Sequence, residues 1–302
     1  MLQLSFRLKI VAAFLSIYLI WGSTYLAIRF AIQTFPPFFM AATRFLIAGG
    51  ALYAWTAARG TPKPTRSNWI AATIVGGLLL LGGNGGVVWA ERFVPSGLAA
   101  VLITTVPLWM ALLEWFRNEH IRPTRQVALG LIIGFSGLIF LVGPKQLAGN
   151  SEINQLGAAV LILAALSWAI GSLYSRKAKL PSVPLQSTAM EMIAGGILLF
   201  GAGVVAQEWV GFSISHMSTI SLIALLYLII FGSMIGFSSY VWLLTKTTSA
   251  RVSTYAYINP VVAVFLGWAL AEEQVTVRTL LAAAVIVGAV VVITTHWKKT
   301  SH

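Results

Sequence analysis

The amino-acid sequence predicts an all-α polytopic membrane protein whose ten transmembrane helices form two inverted repeats of five helices. Three observations support this prediction: the composition, the number of apolar stretches and a partial internal repeat. Of the 302 residues, 58% are hydrophobic and only 9% are charged, and the mean hydropathy is +0.86. A soluble domain carries about a quarter charged residues, so this chain has too few to cover a water-facing surface.

The residue types that are missing exclude several function classes. The chain contains no cysteine and no aspartate, which rules out disulfides, thiolate metal sites and an aspartyl phosphate. The patterns GxxxxGK[ST], HExxH and GxSxG are also absent, so neither an ATP-binding loop nor a hydrolase site is predicted. We therefore expect a protein that is not an enzyme and that holds no metal or other cofactor.

Ten stretches are long and apolar enough to cross a bilayer, which takes about 20 residues each. They span 10–28, 36–58, 69–90, 97–116, 126–143, 156–175, 185–206, 219–244, 250–270 and 279–296. No small-residue cleavage pattern follows the first stretch, so we interpret it as a retained helix rather than a signal peptide. The predicted loops are too short for a folded domain, and the function is expected inside the bundle.

The basic residues predict the orientation. With ten crossings both termini lie on one side, and the segments on that side hold 15 of the 20 Lys and Arg residues, whereas the opposite loops hold four and Arg44 lies within a span. The positive-inside rule places both termini in the cytoplasm, as expected for a chain in the cell membrane. The net charge of +12 is thus a topology signal, and we expect the lipid bilayer and a small-molecule substrate as partners, with no nucleic acid. A monomer is expected to suffice, and a homodimer is the alternative.

An internal repeat relates residues 1–148 to residues 149–302. At an offset of 153, nine of 43 positions over 83–125 are identical, and the rarest residue types among them are the pairs Trp89/Trp242, Pro107/Pro260, Trp115/Trp268 and Glu119/Glu272. An offset near 147 aligns Trp21 with Trp168. Because each half holds an odd number of spans, the halves have opposite topology, as in many secondary transporters with a mid-membrane substrate site. A duplication kept for folding alone is the alternative.

Four segments resemble the EamA family of the drug/metabolite transporter superfamily, most of all its YedA-like subgroup of inner-membrane exporters. They are WGSTYLAIR at 21–29, FPP at 35–37, GNGGVVWAERFVPSGLAAVLITTVPLW at 83–109 and STYAYINPVVAVFLG at 253–267. The resemblance implies two inverted five-helix repeats, a cavity lined by helices 1, 3, 4, 6, 8 and 9, and export of small metabolites or drugs. One departure is RNEHIR at 117–122, which keeps only Glu119 of a GER-type turn.

Polar and aromatic residues on the expected cavity helices are the substrate-binding candidates. They are Trp21, Ser23, Asn84, Trp89, Thr104, Thr105, Trp168, Ser172, Ser239, Tyr255, Tyr257 and Asn259. For many Trp and Tyr residues, an interfacial belt is the alternative. Pro107 and Pro260 are expected to kink their helices and to free the carbonyls near Ile103 and Ala256, and irregular backbone at membrane depth often lines a cavity.

Three ionisable residues are candidates for energy coupling. Arg44 and Glu191 lie inside spans, where a charge is costly and usually faces the bundle interior. The functional interpretation is a proton-titrating Glu191 biased by Arg44, and the alternative is a structural ion pair or two snorkelling side chains. Glu91, at the outer end of helix 3, is either a solvated charge or a gate.

The sequence therefore predicts a secondary exporter of small amphipathic molecules, such as apolar or aromatic amino acids, related metabolites or drugs, that works by alternating access. A passive channel is the alternative.

Overall fold

The computed structural model describes residues 2–117, 125–142, 154–247 and 249–296. Within these ranges the secondary structure is helical, in ten long segments. They are α1 (Phe6–Ala31), α2 (Pro37–Ala58), α3 (Arg66–Ala90), α4 (Ser96–Phe116), α5 (Arg125–Val142), α6 (Gln155–Ser175), α7 (Pro184–Val205), α8 (Thr219–Lys246), α9 (Tyr255–Ala271) and α10 (Val277–His296).

Each predicted apolar stretch coincides with one of these segments to within a few residues as far as the chain is described, although the stretch 250–270 begins in a separate short helix, Ser249–Val252. By length and composition, seven of them (α1 to α4 and α6 to α8) are able to cross a membrane. Shorter apolar helices, Ile258–Ala271 and Leu280–Ala289, lie in α9 and α10. The polytopic all-helical fold is thus confirmed for the described residues, whereas ten crossings in two inverted repeats stay a prediction.

The helices begin where the sequence carries start signals. Pro37 and Pro184 occupy the first positions of α2 and α7, where a missing N–H costs nothing. Thr65 and Asn68 form a capping box at the start of α3. The side chains of Asn154 and Ser218 accept from backbone N–H groups at the starts of α6 and α8.

Three helices contain wide π-helical segments. These are Ser16–Ile20 in α1, Gly77–Gly85 in α3 and Leu228–Phe237 in α8. Such segments are rare and often occur at functional sites. The segments in α3 and α8 supply lining residues of the central cavity described below, among them Asn84 and Phe237, whereas the segment in α1 ends just before the lining residue Trp21.

Glycines allow the helices around the core to approach closely. A Cβ at Gly76 of α3 would lie 2.5 Å from the carbonyl oxygen of Glu191 on α7, and a Cβ at Gly49 of α2 would lie 2.9 Å from that of Ala189 on α7. In α8, a Cβ at Gly236 would lie 2.5 Å from Nε1 of Trp21. The large apolar side chains Trp55, Ile132, Val205 and Phe265 are exposed on the outside of the bundle, as expected for a surface that faces lipid.

Candidate transport cavity

A cavity lies between the two halves of the chain; the centres of water-sized spheres have about 60 Å³ available in it, within a wider empty space of about 620 Å³ that includes open solvent. Its walls come from α1, α2, α3, α4, α6, α8 and α9. The resemblance implied six of these helices, and α2 is the addition. The polar and aromatic lining residues are Trp21, Thr24, Tyr25, Arg44, Phe45, Asn84, Trp168, Phe237, Tyr255 and Asn259.

An aromatic cluster forms one wall of the cavity, with Trp21 at its centre. The Trp21 ring meets Trp168 edge to face at 5.5 Å between centroids and meets Tyr255 edge to face at 5.4 Å. It also lies 5.0 Å from Tyr240 in a tilted arrangement. The two edge-to-face contacts have a geometry that aromatic pairs favour, and Trp21, Trp168 and Tyr255 offer apolar ring surface to the cavity.

Hydrogen bonds inside the protein already occupy the polar atoms of Trp21, Trp168 and Tyr240. Nε1 of Trp21 donates to the carbonyl of Gly232 at 3.2 Å, and Nε1 of Trp168 donates to the hydroxyl of Tyr240 at 2.9 Å. The Tyr240 hydroxyl also bonds to Oγ of Ser172 at 2.5 Å. The two tryptophans can therefore contact a substrate through their rings rather than through their N–H groups.

Two polar groups on the cavity wall keep hydrogen-bonding capacity. Oδ1 of Asn84 and Nη1 of Arg44 are buried and have no hydrogen-bond partner in the described residues. Nε of Arg44 donates to Oγ of Ser233 at 2.6 Å, which fixes the guanidinium group beside the cavity. Because buried polar groups are normally paired, these two atoms are free to pair with a polar group of a molecule that enters the cavity.

Several predicted site residues use their hydroxyl groups to bond their own helices. Thr104 donates to the carbonyl of Ala100, Thr105 to that of Leu102 and Ser172 to that of Trp168. Ser23 bonds to the carbonyl of Ile20 and to the hydroxyl of Tyr227. The structure places these four residues outside the cavity wall, in positions where they stabilise helices.

The remaining predicted residues are divided between the wall and its surroundings. Trp168, Tyr255 and Asn259 line the cavity together with Trp21 and Asn84. Trp89 instead packs against Phe93, with 5.2 Å between ring centroids, and Ser239 is half-buried away from the wall. The side chain of Tyr257 and the whole 118–124 segment with Glu119 lie outside the described residues.

The two prolines occupy different local structures. The α4 helix is interrupted at Thr104 and Thr105, so Pro107 lies in the first turn of its second half. Pro260 lies inside the continuous α9 helix. Next to it, the side-chain amide of Asn259 faces main-chain carbonyls of α1; with its nitrogen assigned to that side, it donates to the carbonyls of Ile17 at 3.0 Å and Tyr18 at 2.8 Å. Asn259 thus joins α9 to the π-helical segment of α1.

Beyond one end of the cavity, a charged cluster joins α1, α4 and the turn after α9. Glu273 forms an ion pair with Arg29, and it accepts hydrogen bonds from the backbone N–H groups of Ser96 and Gly97. Glu91 is close to this cluster and only 5% exposed, yet both its carboxylate oxygens lack a partner. Burial raises the pKa of Glu91 well above 4.5, and the nearby Glu273 adds to the rise while Arg29 opposes it.

Arg44 and Glu191 form no ion pair with each other in the described structure. Glu191 is 0% exposed, its Oε1 accepts a hydrogen bond from Ser187 at 3.0 Å, and its Oε2 has no partner. Arg44 instead bonds to Ser233 on α8. In this conformation, neither residue is the ion-pair partner of the other. Glu191 is a buried carboxyl group on α7, and Arg44 is a buried guanidinium group on the cavity wall.

Sequence reasoning missed some wall residues for which a signal existed. Thr24, Tyr25 and Ile28 follow Trp21 at helical spacing on α1. On α3, Leu80 and Val87 share a face with Asn84 in the same way. Extending the periodicity from Trp21 and Asn84 finds both groups, whereas Phe237 and Phe45 needed the tertiary structure.

A bundle of apolar helices around a central cavity is an architecture in which membrane transporters place their substrate sites. The model of the EamA-like transporter family matches this chain twice, at residues 8–143 and 155–295. The chain therefore belongs to the EamA-like transporter family, which confirms the resemblance seen in the sequence.

The chain is also similar to several individual proteins. It is 39% identical to the uncharacterized inner membrane transporter YedA of Escherichia coli K12, over 95% of this chain and 91% of that protein. It is 30% identical to a chloroplastic WAT1-related protein of Arabidopsis thaliana, over 91% of this chain and 67% of that protein. One crystal structure shares the fold, with a TM-score of 0.66 and 21% identity over 95% of this chain and 97% of the other.

Proposed function

We propose that this transporter is a secondary exporter in the inner membrane, with both termini in the cytoplasm. Its substrates are small amphipathic metabolites, above all apolar or aromatic amino acids and related compounds, and drugs of similar shape. Transport proceeds by alternating access between two inverted five-helix repeats, residues 1–148 and 149–302. The observation that carries the proposal is a cavity between the halves with an aromatic wall and few polar groups.

Two further findings support the inverted repeats. The family model matches once in each half of the chain. The π-helical segment Gly77–Gly85 of α3, shifted by the repeat offset of 153, falls on 230–238 and overlaps the π-helical segment Leu228–Phe237 of α8. Repeats that meet around a mid-membrane site are typical of alternating-access carriers.

Glutamates at the predicted outer end support a closed gate there in this conformation. Glu273 holds the start of α4, and the two carboxylate oxygens of Glu208 accept from the backbone N–H groups of Phe38 and Phe39 at the start of α2. A carboxylate at a helix N-terminus is stabilising. A conformational change that opens this end has to break these contacts or move them as a unit.

Purified protein in liposomes tests the proposal. Labelled phenylalanine is offered outside, with and without unlabelled phenylalanine inside. Saturable uptake that is stimulated by the internal substrate supports the carrier. Flux that is linear in concentration and unaffected by internal substrate supports the passive channel instead.

Single cysteines test the site, because the natural chain contains none. A cysteine at Asn84 lies on the cavity wall, whereas one at Thr105 lies behind it. We expect phenylalanine to slow the reaction of the first with an aqueous thiol reagent and to leave the second unchanged. Equal behaviour of the two positions would contradict the assigned wall.

A further inference from the structure

We propose that Arg44 is the anion-binding residue of the cavity and that the transported molecule is a monocarboxylate with an apolar body. This inference rests on the proposed transport function and narrows its substrate class. It starts from a residue that is 3% exposed, lies on α2 and lines the cavity.

The guanidinium group of Arg44 is held on one side and unsatisfied on the other. Nε donates to Ser233, and the guanidinium carbon lies 4.7 Å from the centroid of the Phe45 ring. A Cβ at Gly232 would lie 2.8 Å from Nη2, so the glycine makes room for this group. Nη1 has no partner in the described residues. The side chain is therefore positioned before any ligand arrives.

The positive charge of Arg44 has no protein counter-ion within ion-pair distance in the described part of the chain. Glu273 pairs with Arg29, Glu208 bonds to the start of α2 and Glu191 bonds to Ser187. An isolated buried charge is costly, and proteins normally pair it. A single carboxylate group on the ligand would balance the charge of the guanidinium group, whereas two carboxylates would leave one negative charge unbalanced.

A carboxylate matches this group in shape as well as in charge. The planar guanidinium group binds carboxylates through two parallel N–H bonds, and Nη1 offers a free donor for one of them. Oδ1 of Asn84, also on the wall, accepts a hydrogen bond from an N–H group of the same molecule. The rings of Trp21 and Trp168 cover its apolar part.

Four related probes separate the charges of the ligand. Phenylalanine carries both an amine and a carboxylate, and 3-phenylpropionate lacks the amine. Phenethylamine and phenylalaninamide lack the carboxylate. Binding to the purified wild-type protein and counterflow in liposomes are measured for each. We expect binding and counterflow for the two carboxylates and affinities about 10- to 100-fold weaker for the other two.

Variants then assign the preference to Arg44. Arg44→Gln should abolish the preference for carboxylates, and Arg44→Lys should retain part of it. Arg59→Gln is the matched control, because Arg59 lies just beyond the other end of α2, where it stacks on the exposed Trp55. It should keep the wild-type preference.

Two results would overturn the inference. One is equal binding of phenethylamine and 3-phenylpropionate by the wild-type protein, a measurement that does not depend on the folding of any variant. The other is an unchanged preference in a folded Arg44→Gln protein. In either case, counterflow of phenethylamine or phenylalaninamide would leave the proposed transport function intact. If none of the four probes shows counterflow, both the transport function and the role of Arg44 are overturned.

Discussion

Arg29 and Glu273 form an ion pair in which Nη1 lies 2.8 Å from Oε1, and this pair joins α1 to the turn that follows α9. The same Oε1 accepts a hydrogen bond from the backbone N–H of Ser96, while Oε2 accepts one from Gly97. One carboxylate thus fixes three elements that belong to both halves of the chain. Under the proposed alternating access, opening of this end has to break these contacts or move them together.

Replacing the Glu273 carboxylate tests whether it stabilises the contact between α1, α4 and the turn after α9. We expect Glu273→Gln to lower the free energy of unfolding by about 1–3 kcal/mol, because the amide loses the charge-assisted bonds to Arg29 and to the start of α4. Thermal unfolding in detergent measures the change. The control is Glu272→Gln in the same turn, where the side chain is exposed and little change is expected. Equal loss in both variants would contradict the assigned role.

Glu91 predicts a pH dependence of stability. Its pKa is raised in the folded protein, mainly by burial, so the folded state keeps a proton that the unfolded state releases. The resulting loss of stability begins near the ordinary pKa of 4.5 and grows as the pH rises toward the folded value. Glu91→Gln removes this loss. Melting temperatures of both proteins from about pH 5 to about pH 8 should diverge, and parallel curves would show that Glu91 does not titrate this way.

Glu191 predicts how transport is coupled to protons. It is a fully buried carboxyl group with one free oxygen on a helix that packs against α2 and α3. If it carries the exchanged proton, Glu191→Gln should still exchange labelled for unlabelled substrate but should no longer respond to a pH gradient. Glu191→Asp keeps a titratable group and should keep part of the response. A full response in the Gln variant would remove Glu191 as the coupling residue and leave Glu91 or facilitated diffusion.

Adjacent glycines in α3 predict opposite tolerance to a methyl group. A Cβ at Gly76 would lie 2.5 Å from the carbonyl oxygen of Glu191 and 2.9 Å from the backbone nitrogen of Gly195, and neither helix backbone can move easily. A Cβ at Gly77 would meet only the flexible end of Leu198 at 3.4 Å. We expect Gly76→Ala to cost about 1–3 kcal/mol and Gly77→Ala to cost less than about 0.5 kcal/mol. Thermal unfolding of the two variants measures these changes in stability. Similar melting temperatures for Gly76→Ala and Gly77→Ala would contradict the close α3–α7 contact.

The sequence predicted the part of the site that follows from helix position alone. Trp21 and Trp168 align in the internal repeat, and their rings meet in the cavity. Asn84 is a candidate as a polar residue on an expected cavity helix, and it lines the same cavity. Hydroxyl residues such as Thr104 and Thr105 could not be assigned in this way, because only the folded helix shows that their hydroxyl groups bond to their own backbone.

The sequence by itself determined the membrane class, the ten apolar stretches and the family, because composition and apolar length decide which segments can leave water. Tertiary structure alone decided which charges meet. Arg44 lies beside Ser233 and the cavity rather than beside Glu191, and Glu273 reaches Arg29 across 244 residues of chain. Such pairings depend on how the helices rotate and pack, because a hydrogen bond requires its two atoms to lie about 3 Å apart. The spacing of residues along the sequence does not predict distances between side chains on different helices.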